Sequence, residues 1–198
     1  MTKFILASAS PRRKKLLQMI GLDFEVIPSQ IEEIIEDKQS PEVLVKDLAY
    51  QKAVNVAKIK KKSNHIKDRV VIGADTVVAK DDELLAKPKD FTEAYEMLSL
   101  LNNSCHNVLT GISIIRNEEV VTDFKQTKVY FKKLTPQEIK DYIATGEPFD
   151  KAGGYGIQAK GSLLVEKIEG CFYNVVGLSI NKFVSMLKKL GVDFRLNE

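Results

Sequence analysis

Strand-like and helix-like patterns alternate along the whole of this 198-residue chain. Short apolar runs alternate with segments whose apolar residues recur at spacings of three and four, and neither internal repeats nor low-complexity linkers interrupt them. This alternation predicts an α/β or α+β domain. The length suits one domain over residues 1–198, which can be split into two lobes and still bury a substantial core.

The composition narrows the classes of protein to which the chain can belong. No stretch approaches the roughly 20 apolar residues of a membrane span, and the N-terminus lacks a basic segment followed by a long apolar run, so we expect a cytoplasmic protein without a membrane partner. Cys105 and Cys171 lie far apart without a C-x-x-C pair, which argues against zinc and disulfides and indicates packing residues. His65 and His106 are interpreted as structural or solvated.

The charge balance does not favour a nucleic-acid partner. The formal net charge is only +3. The one concentrated basic run, residues 58–62, is interpreted as the solvated end of a helix.

Residues 4–13 combine an apolar strand, a turn with two hydroxyls, a proline and two arginines. Ser10 is a good N-cap and Pro11 suits the first helical position, so a helix is predicted to begin there with its free N–H groups facing the turn. Arg12 and Arg13 add guanidinium groups that suit phosphate oxygens, and Arg13 falls on the apolar face of the helix. The run predicts an anion site. In the alternative, the serines only cap the helix and the arginines are solvated.

A long helix is predicted from Pro41 to about Lys60. Its inward stripe is predicted to comprise Val45, Leu48, Lys52, Val56 and Ile59. Lys52 is the one charge on this stripe, and a buried lysine is costly unless it meets an anion. Lys52 therefore either extends to the helix edge or points into a site.

Residues 69–79 form a strand-like run that is apolar on both sides of Asp75. A carboxylate between buried strands is unfavourable unless it binds a cation or accepts strong hydrogen bonds. Asp75 is therefore the best single candidate for a catalytic residue. The alternative is a carboxylate that caps a turn after Gly73.

The remaining pattern supplies loops and further elements. We predict a strand over 24–28, an acidic loop over 29–40, a hairpin through 80–83, a capped helix from Asp90 to Leu101, paired strands over 107–116 and 120–132, a capped helix from Thr135 to Gly146, and a closing helix over 178–190. Residues 148–161 show no helical period and are rich in glycine, as in a loop that brings backbone close to a ligand.

The polar candidates form a chemically coherent set. The cations are Arg12, Arg13, Lys52 and Lys87, the carboxylates are Glu33 and Asp75, and the hydroxyl and amide groups are Ser8, Thr76 and Gln158. Several cations with a few acids are what a polyphosphate and a divalent metal require, because cations offset phosphate charge while carboxylates hold metal and activate water.

These residues resemble the Maf family of nucleoside triphosphate pyrophosphatases from end to end. The matching motifs are residues 7–13 (ASASPRR), 73–78 (GADTVV), 87–88 (KP), 110–111 (TG), 146–158 (GEPFDKAGGYGIQ) and 174–178 (NVVGL). The resemblance implies a mixed twisted sheet flanked by helices, with two lobes around a cleft, similar to the inosine triphosphate pyrophosphatase-like fold. It also implies hydrolysis between the α and β phosphates with Mg²⁺ or Mn²⁺, and a homodimer.

The resemblance implies a role for each candidate. Asp75 resembles the family's catalytic acid, acting on the attacking water or as a metal ligand, and Glu33 resembles its second carboxylate. The phosphate binders implied are Ser8, Arg12, Arg13, Lys52 and Lys87, of which the two lysines belong to the catalytic set.

The chain resembles the branch of the family that prefers dTTP and UTP. The residues that carry this likeness are Arg12, Thr76 and Gln158, and an amide such as Gln158 can pair with a pyrimidine's carbonyl and N3–H. In the alternative, Gln158 only braces its loop. Two other functions stay open: a 7-methyl-GTP pyrophosphatase, and a non-catalytic regulator of cell division that binds nucleotides or nucleic acid.

Three departures from the family pattern are Gly154, Ala159 and Ser179, which stand where alanine, glycine and proline are usual. We expect Ala159 to alter the path of the loop just after Gln158.

Overall fold

The computed structural model describes residues 2–31, 39–61, 68–81 and 83–194. The strands within these ranges are β1 (Lys3–Leu6), β2 (Phe24–Val26), β3 (Arg69–Lys80), β4 (Glu83–Leu85), β5 (Cys105–Arg116), β6 (Glu119–Phe131) and β7 (Val165–Glu169). The α-helices are α1 (Pro11–Met19), α2 (Pro41–Lys61), α3 (Phe91–Leu101), α4 (Pro136–Ala144), α5 (Phe172–Val176) and α6 (Ile180–Lys189). Three short 3₁₀ turns connect α4 to β7, over Glu147–Asp150, Ala152–Gly154 and Ala159–Leu163.

The strands form a mixed sheet in the order β2-β1-β3-β5-β6-β7, with β4 paired to β3. Strand β1 runs parallel to both neighbours, so that Leu6 lies opposite Val26 and Ile72. The β3–β4 and β6–β7 pairs are antiparallel. The predicted α/β fold with a mixed sheet is confirmed.

The chain divides into two compact units. The first comprises residues 1–75, 110–125 and 177–198, and the second comprises residues 76–109 and 126–176. One buried cluster in the first unit consists of Ile5, Ala7, Ala53, Val56, Val71 and Ile115. A buried cluster in the second unit includes Val78, Leu98, Leu101, Val129, Phe131, Ile143 and Tyr155. A single domain over the whole chain stays a prediction.

Three helix starts that the sequence predicts are confirmed by their capping bonds. The Ser10 hydroxyl accepts from the Arg13 N–H at 3.4 Å, with Pro11 in the first turn. The Asp90 carboxylate accepts from the Glu93 N–H at 2.9 Å. At α4 a complete capping box joins Thr135 and Glu138. Each cap satisfies an N–H group that the helix itself leaves without a partner.

The predicted inward stripe of α2 is partly wrong. Val45, Leu48 and Val56 are buried, but Ile59 is 47% exposed. Ala49 and Ala53, which the prediction left out, are fully buried instead. Small side chains face the sheet at these two positions, where the helix lies against Gly73.

Several short elements differ from the sequence prediction. Strand β2 ends at Val26, α6 begins only at Ile180, and strand β7 and helix α5 were not predicted. The predicted irregular segment 148–161 contains 3₁₀ turns. Elements of three to five residues are too short for an apolar period to develop. Among the described helices, none has the length and apolar character needed to cross a membrane.

Candidate active site

An ion pair joins helix α2 to strand β3 in the first unit. The Lys52 ammonium donates a hydrogen bond to Oδ1 of Asp75. Each side chain is 15% exposed, so the pair is shielded from bulk water without being sealed. Lys52 thus meets an anion, Asp75, as a charge on the inward stripe requires. That this pair belongs to a site stays a prediction.

Two glycines bring α2 close to the sheet beside this pair. A Cβ on Gly73 would lie 2.2 Å from the Ala49 carbonyl oxygen and 2.8 Å from the Ala53 Cβ. A Cβ on Gly111 of β5 would lie 2.1 Å from the Val45 carbonyl oxygen. The three helix residues are spaced by four and share one face. The helix backbone therefore rests almost directly on β3 and β5, which places Lys52 within reach of Asp75.

The turn between β1 and α1 is organised around the Ser8 hydroxyl. Ser8 is a buried residue, and its hydroxyl accepts from the Ser10 N–H at 3.2 Å and from Nη1 of Arg13 at 3.0 Å. The Arg13 side chain lies on the buried face of α1, as predicted, and its Nε donates to the Gly177 carbonyl at 2.9 Å. Arg12 is half-buried. Ser8 therefore does more than cap the helix, and Ser10 is its N-cap.

The register of the sheet places this turn level with the ion pair. Strands β1 and β3 are parallel with Leu6 opposite Ile72, and pairing continues as the Ala7 N–H donates to the Ile72 carbonyl at 2.8 Å. Ser8 follows two residues after Leu6, and Asp75 follows three residues after Ile72. In sheets of this class, ligands commonly bind beyond the carboxyl ends of parallel strands. Four predicted phosphate-binding or catalytic residues of the first unit thus lie in two neighbouring groups. Ser8 and Arg13 belong to the turn between β1 and α1, and Lys52 and Asp75 form the ion pair.

The other predicted site residues are distributed differently. Thr76, half-buried on β3, belongs to the second unit, as do the exposed Lys87 after β4 and the exposed Gln158. Glu33 lies outside the described residues, as does His65. Thr76, Lys87 and Gln158 are therefore all residues of the second unit.

The segment that carries Gln158 is held by internal hydrogen bonds. The Lys151 ammonium donates to the Glu147 carbonyl at 2.6 Å. The Glu147 carboxylate in turn accepts from the N–H groups of Lys160 and Gly161 at 3.3 and 3.4 Å. These bonds support the turn on both sides of Gln158, whose own side chain is exposed.

Two of the three departures lie in this segment, and both have a positive φ. Ala159 adopts a φ of +52° and Gly154 a φ of +71°. The left-handed region suits glycine and strains a residue with a Cβ. Ala159 thus takes up the conformation that glycine would adopt, with a positive φ. The third departure, Ser179, stands at the N-cap of α6.

A buried aromatic group lies at the base of the same segment. Nε2 of His106 and the Tyr155 hydroxyl are 2.6 Å apart, and both rings pack edge-on against Phe131. Burial, with a smaller contribution from Lys80, lowers the pKa of His106 to about 4. Burial raises the pKa of Tyr155 well above its usual value. His106 is therefore a neutral structural residue, which confirms one of the two interpretations given to it.

The donor set for a metal ion is sparse. Among the described residues, no three histidine, cysteine, aspartate or glutamate side chains cluster closely enough to hold a metal. Magnesium bound with a nucleotide commonly uses one or two protein carboxylates, with phosphate oxygens and water completing its shell. Asp75 fits that pattern as a single carboxylate beside the predicted phosphate-binding turn.

Comparison with known proteins identifies close relatives. The family described as Maf-like protein matches residues 3–190. A dTTP/UTP pyrophosphatase of Thermoanaerobacter sp. (strain X514) is 51% identical over 98% of this chain and 99% of its own length. A dTTP/UTP pyrophosphatase of Bacillus cereus (strain ZK / E33L) is 48% identical over 98% of both chains. Among solved structures, a nucleoside-triphosphatase / dITP/XTP pyrophosphatase from Mycobacterium abscessus aligns over 94% of each chain at 11% identity, with a TM-score of 0.43.

Proposed function

Because the chain belongs to the Maf family, we propose that it is a nucleoside triphosphate pyrophosphatase that acts on dTTP and UTP. The relatives that carry this name match almost the whole chain at about half of all positions. The observation that carries the proposal is the Lys52–Asp75 pair, a partly shielded carboxylate on the strand next to the Ser8 turn. A cytoplasmic location and a homodimer are part of the proposal.

The proposed reaction is hydrolysis between the α and β phosphates. A water oxygen bonds to the α phosphorus, the bond from that phosphorus to the bridging oxygen breaks, and pyrophosphate leaves with the bond's electron pair. Asp75 accepts the proton of the attacking water or orients that water through a hydrogen bond. Lys52 holds the carboxylate in place before substrate binds and, with Lys87 and Arg12, offsets phosphate charge. The Ser8 hydroxyl donates to a phosphate oxygen.

We include a divalent cation, Mg²⁺ or Mn²⁺, in the proposal. Asp75 would hold it together with phosphate oxygens, and Glu33, outside the described residues, is the predicted second carboxylate. When bound, such an ion neutralises phosphate charge and polarises the phosphoryl group.

Base selection is assigned to Gln158, Thr76 and Arg12. The Gln158 amide is exposed on a turn that Glu147 and Lys151 hold in place. It presents both a donor and an acceptor, which matches the N3–H and carbonyl groups of thymine and uracil. Ala159 has the positive φ that a glycine readily adopts, and a pyrimidine preference is compatible with this departure.

A panel of nucleotides tests the proposal directly. Pyrophosphate release is measured with dTTP, UTP, dCTP, GTP and 7-methyl-GTP, each with Mg²⁺, with Mn²⁺ and with a chelator. We expect release from dTTP and UTP that the chelator abolishes. Preference for 7-methyl-GTP would move the chain to the sister activity. No release from any nucleotide, together with salt-sensitive binding to DNA or RNA, would replace the enzyme with the non-catalytic regulator.

A further inference from the structure

We propose that Arg13 is a positioning residue that acts on the substrate's phosphate through Ser8 and does not itself touch the substrate. This inference rests on the proposed function. It replaces the direct phosphate contact that the sequence predicts for Arg13, and it identifies a hydrogen-bonded support for the turn between β1 and α1.

The guanidinium of Arg13 already connects two separate parts of the chain. Its Nε donates to the Gly177 carbonyl at 2.9 Å, and its Nη1 donates to the Ser8 hydroxyl at 3.0 Å. The side chain is only 8% exposed. A planar guanidinium with fixed donor directions can hold two acceptors at once, which a lysine cannot do with the same geometry. Arg13 therefore sets the position of the Ser8 hydroxyl relative to residues just before α6.

The backbone at Gly177 is suited to this contact. Its φ of +128° lies in a region that favours glycine. Gly177 follows α5 directly and precedes Ser179, the N-cap of α6. The carbonyl that receives Nε is thus fixed between two helices, and the motif that contains it has a physical link to the first motif of the chain.

The bonds at Ser8 determine what its hydroxyl can do. A serine hydroxyl has two lone pairs and one proton. Arg13 and the Ser10 N–H both donate to this oxygen, so its own proton is the group left to donate. Nη1 of Arg13 places a positively charged guanidinium next to that O–H. A nearby cation makes the hydroxyl a better donor to an anion, and the anion that suits it is a phosphate oxygen.

A double-mutant cycle separates action through Ser8 from direct binding. The variants are Ser8→Ala, Arg13→Lys and the double variant, and the matched control replaces Arg13→Lys by Arg12→Lys. KM and kcat for dTTP and the affinity for inorganic tripolyphosphate are measured for each. We expect each single substitution to raise KM about tenfold, with a smaller change in kcat, the scale of one hydrogen bond to a charged group.

The two cycles should differ. Adding Arg13→Lys to the Ser8→Ala enzyme should lower affinity by less than about a further threefold, because Arg13 acts through the hydroxyl that Ser8→Ala has already removed. With Arg12→Lys added, the two losses should multiply to about a hundredfold. Multiplying losses in the Ser8–Arg13 cycle would show that Arg13 binds phosphate directly and would overturn the inference.

Two controls distinguish failure of this inference from misfolding of a variant and from failure of the proposed function. Thermal unfolding of every variant shows whether it is folded, and if Arg13→Lys does not fold, Arg13→Gln, which retains a donor, takes its place in the cycle. A wild-type chain that neither releases pyrophosphate nor binds tripolyphosphate removes the proposed function and this inference with it. An active wild-type enzyme with multiplying Ser8 and Arg13 losses removes this inference alone.

Discussion

The two compact units each contain a hydrogen-bonded polar pair, and the pairs have opposite character. Lys52 and Asp75 form an ion pair whose side chains each keep 15% of their surface exposed. His106 and Tyr155 form a neutral pair with 1% and 5% exposure. A charged pair that keeps access to water can exchange partners when an anion or cation arrives, whereas a sealed neutral pair can only hold its surroundings together. The comparison teaches that exposure and charge, rather than polarity alone, separate a candidate site from its scaffold.

The largest expected effect comes from Asp75→Asn, which tests the exposed pair. Loss of the carboxylate should lower turnover by roughly 10²-fold or more, the scale of a lost general base, while the amide still accepts from Lys52 and the fold is kept. Steady-state pyrophosphate release and thermal unfolding measure the two parts.

The matched control for this substitution is Asp123→Asn. Asp123 also pairs with a lysine, Lys182, in the first unit, and its side chain is more exposed than that of Asp75. Its loss should leave turnover within about twofold, as for surface ion pairs of small energy. A folded Asp75→Asn protein with wild-type turnover would remove the assigned role of Asp75.

The sealed pair should be visible as a pH dependence of stability. Because the pKa of His106 is about 4 in the folded protein and near 6.5 when unfolded, the unfolded chain binds more protons between these values. The contribution of neutral His106 to the free energy of unfolding should therefore be complete above pH 6.5. It should fall by about 3 kcal/mol as the pH drops toward 4. Denaturant unfolding at several pH values measures it. A His106→Phe variant should lose this slope, and a slope that survives would assign it to other groups.

Removal of one hydroxyl from the sealed pair should have a smaller effect, and on stability alone. Tyr155→Phe deletes the partner of Nε2 of His106 and should lower the free energy of unfolding by about 1–2 kcal/mol. Turnover should stay within about threefold. The control is Tyr173→Phe, at an exposed ring in the same unit, which should change stability by less than about 0.5 kcal/mol. A turnover loss at Tyr155→Phe as large as that of Asp75→Asn would break the contrast between the pairs.

The smallest expected effect lies next to Gln158. Ala159→Gly relieves a left-handed φ of +52°, about 1–2 kcal/mol of strain, but adds flexibility to the unfolded chain, which costs about 0.4–1 kcal/mol. The net gain should be about 0.5 kcal/mol in chemical denaturation. Ala152→Gly, in a neighbouring 3₁₀ turn, lacks strain to relieve and should destabilise instead. A destabilised Ala159→Gly protein would show that the alanine side chain contributes packing that outweighs its strain.

The sequence predicts those parts of the fold that local chemistry determines. Ser10, Asp90 and Thr135 mark helix starts because capping depends on residues within one turn. Long strands such as β3 and β5 are recognisable because their apolar runs are longer than the segments that form turns. Helix α5 and strand β7, each of five residues, offer too little pattern, and β7 is placed by its pairing with β6.

The candidate site is predictable to a similar extent. Asp75 and Lys52 are evident separately, as single charges on otherwise apolar patterns, but their mutual contact depends on how closely α2 approaches β3. The bond from Arg13 to Gly177 spans 164 positions and leaves no local signal. The fully buried alanines of α2, spaced by four, together with Gly73 and Gly111, are a signal of close packing that a pattern of large apolar residues does not contain.

The two glycines under α2 also bear on how this protein can be redesigned. The helix rests on main-chain atoms at Gly73 and Gly111, so its height above the sheet is set by backbone contact and not by the size of side chains elsewhere in the core. Apolar residues around it can be exchanged for others of similar volume without altering the span between Lys52 and Asp75. We therefore expect volume-conserving substitutions in the core to leave the Lys52–Asp75 contact unchanged, provided that residues 73 and 111 remain glycine.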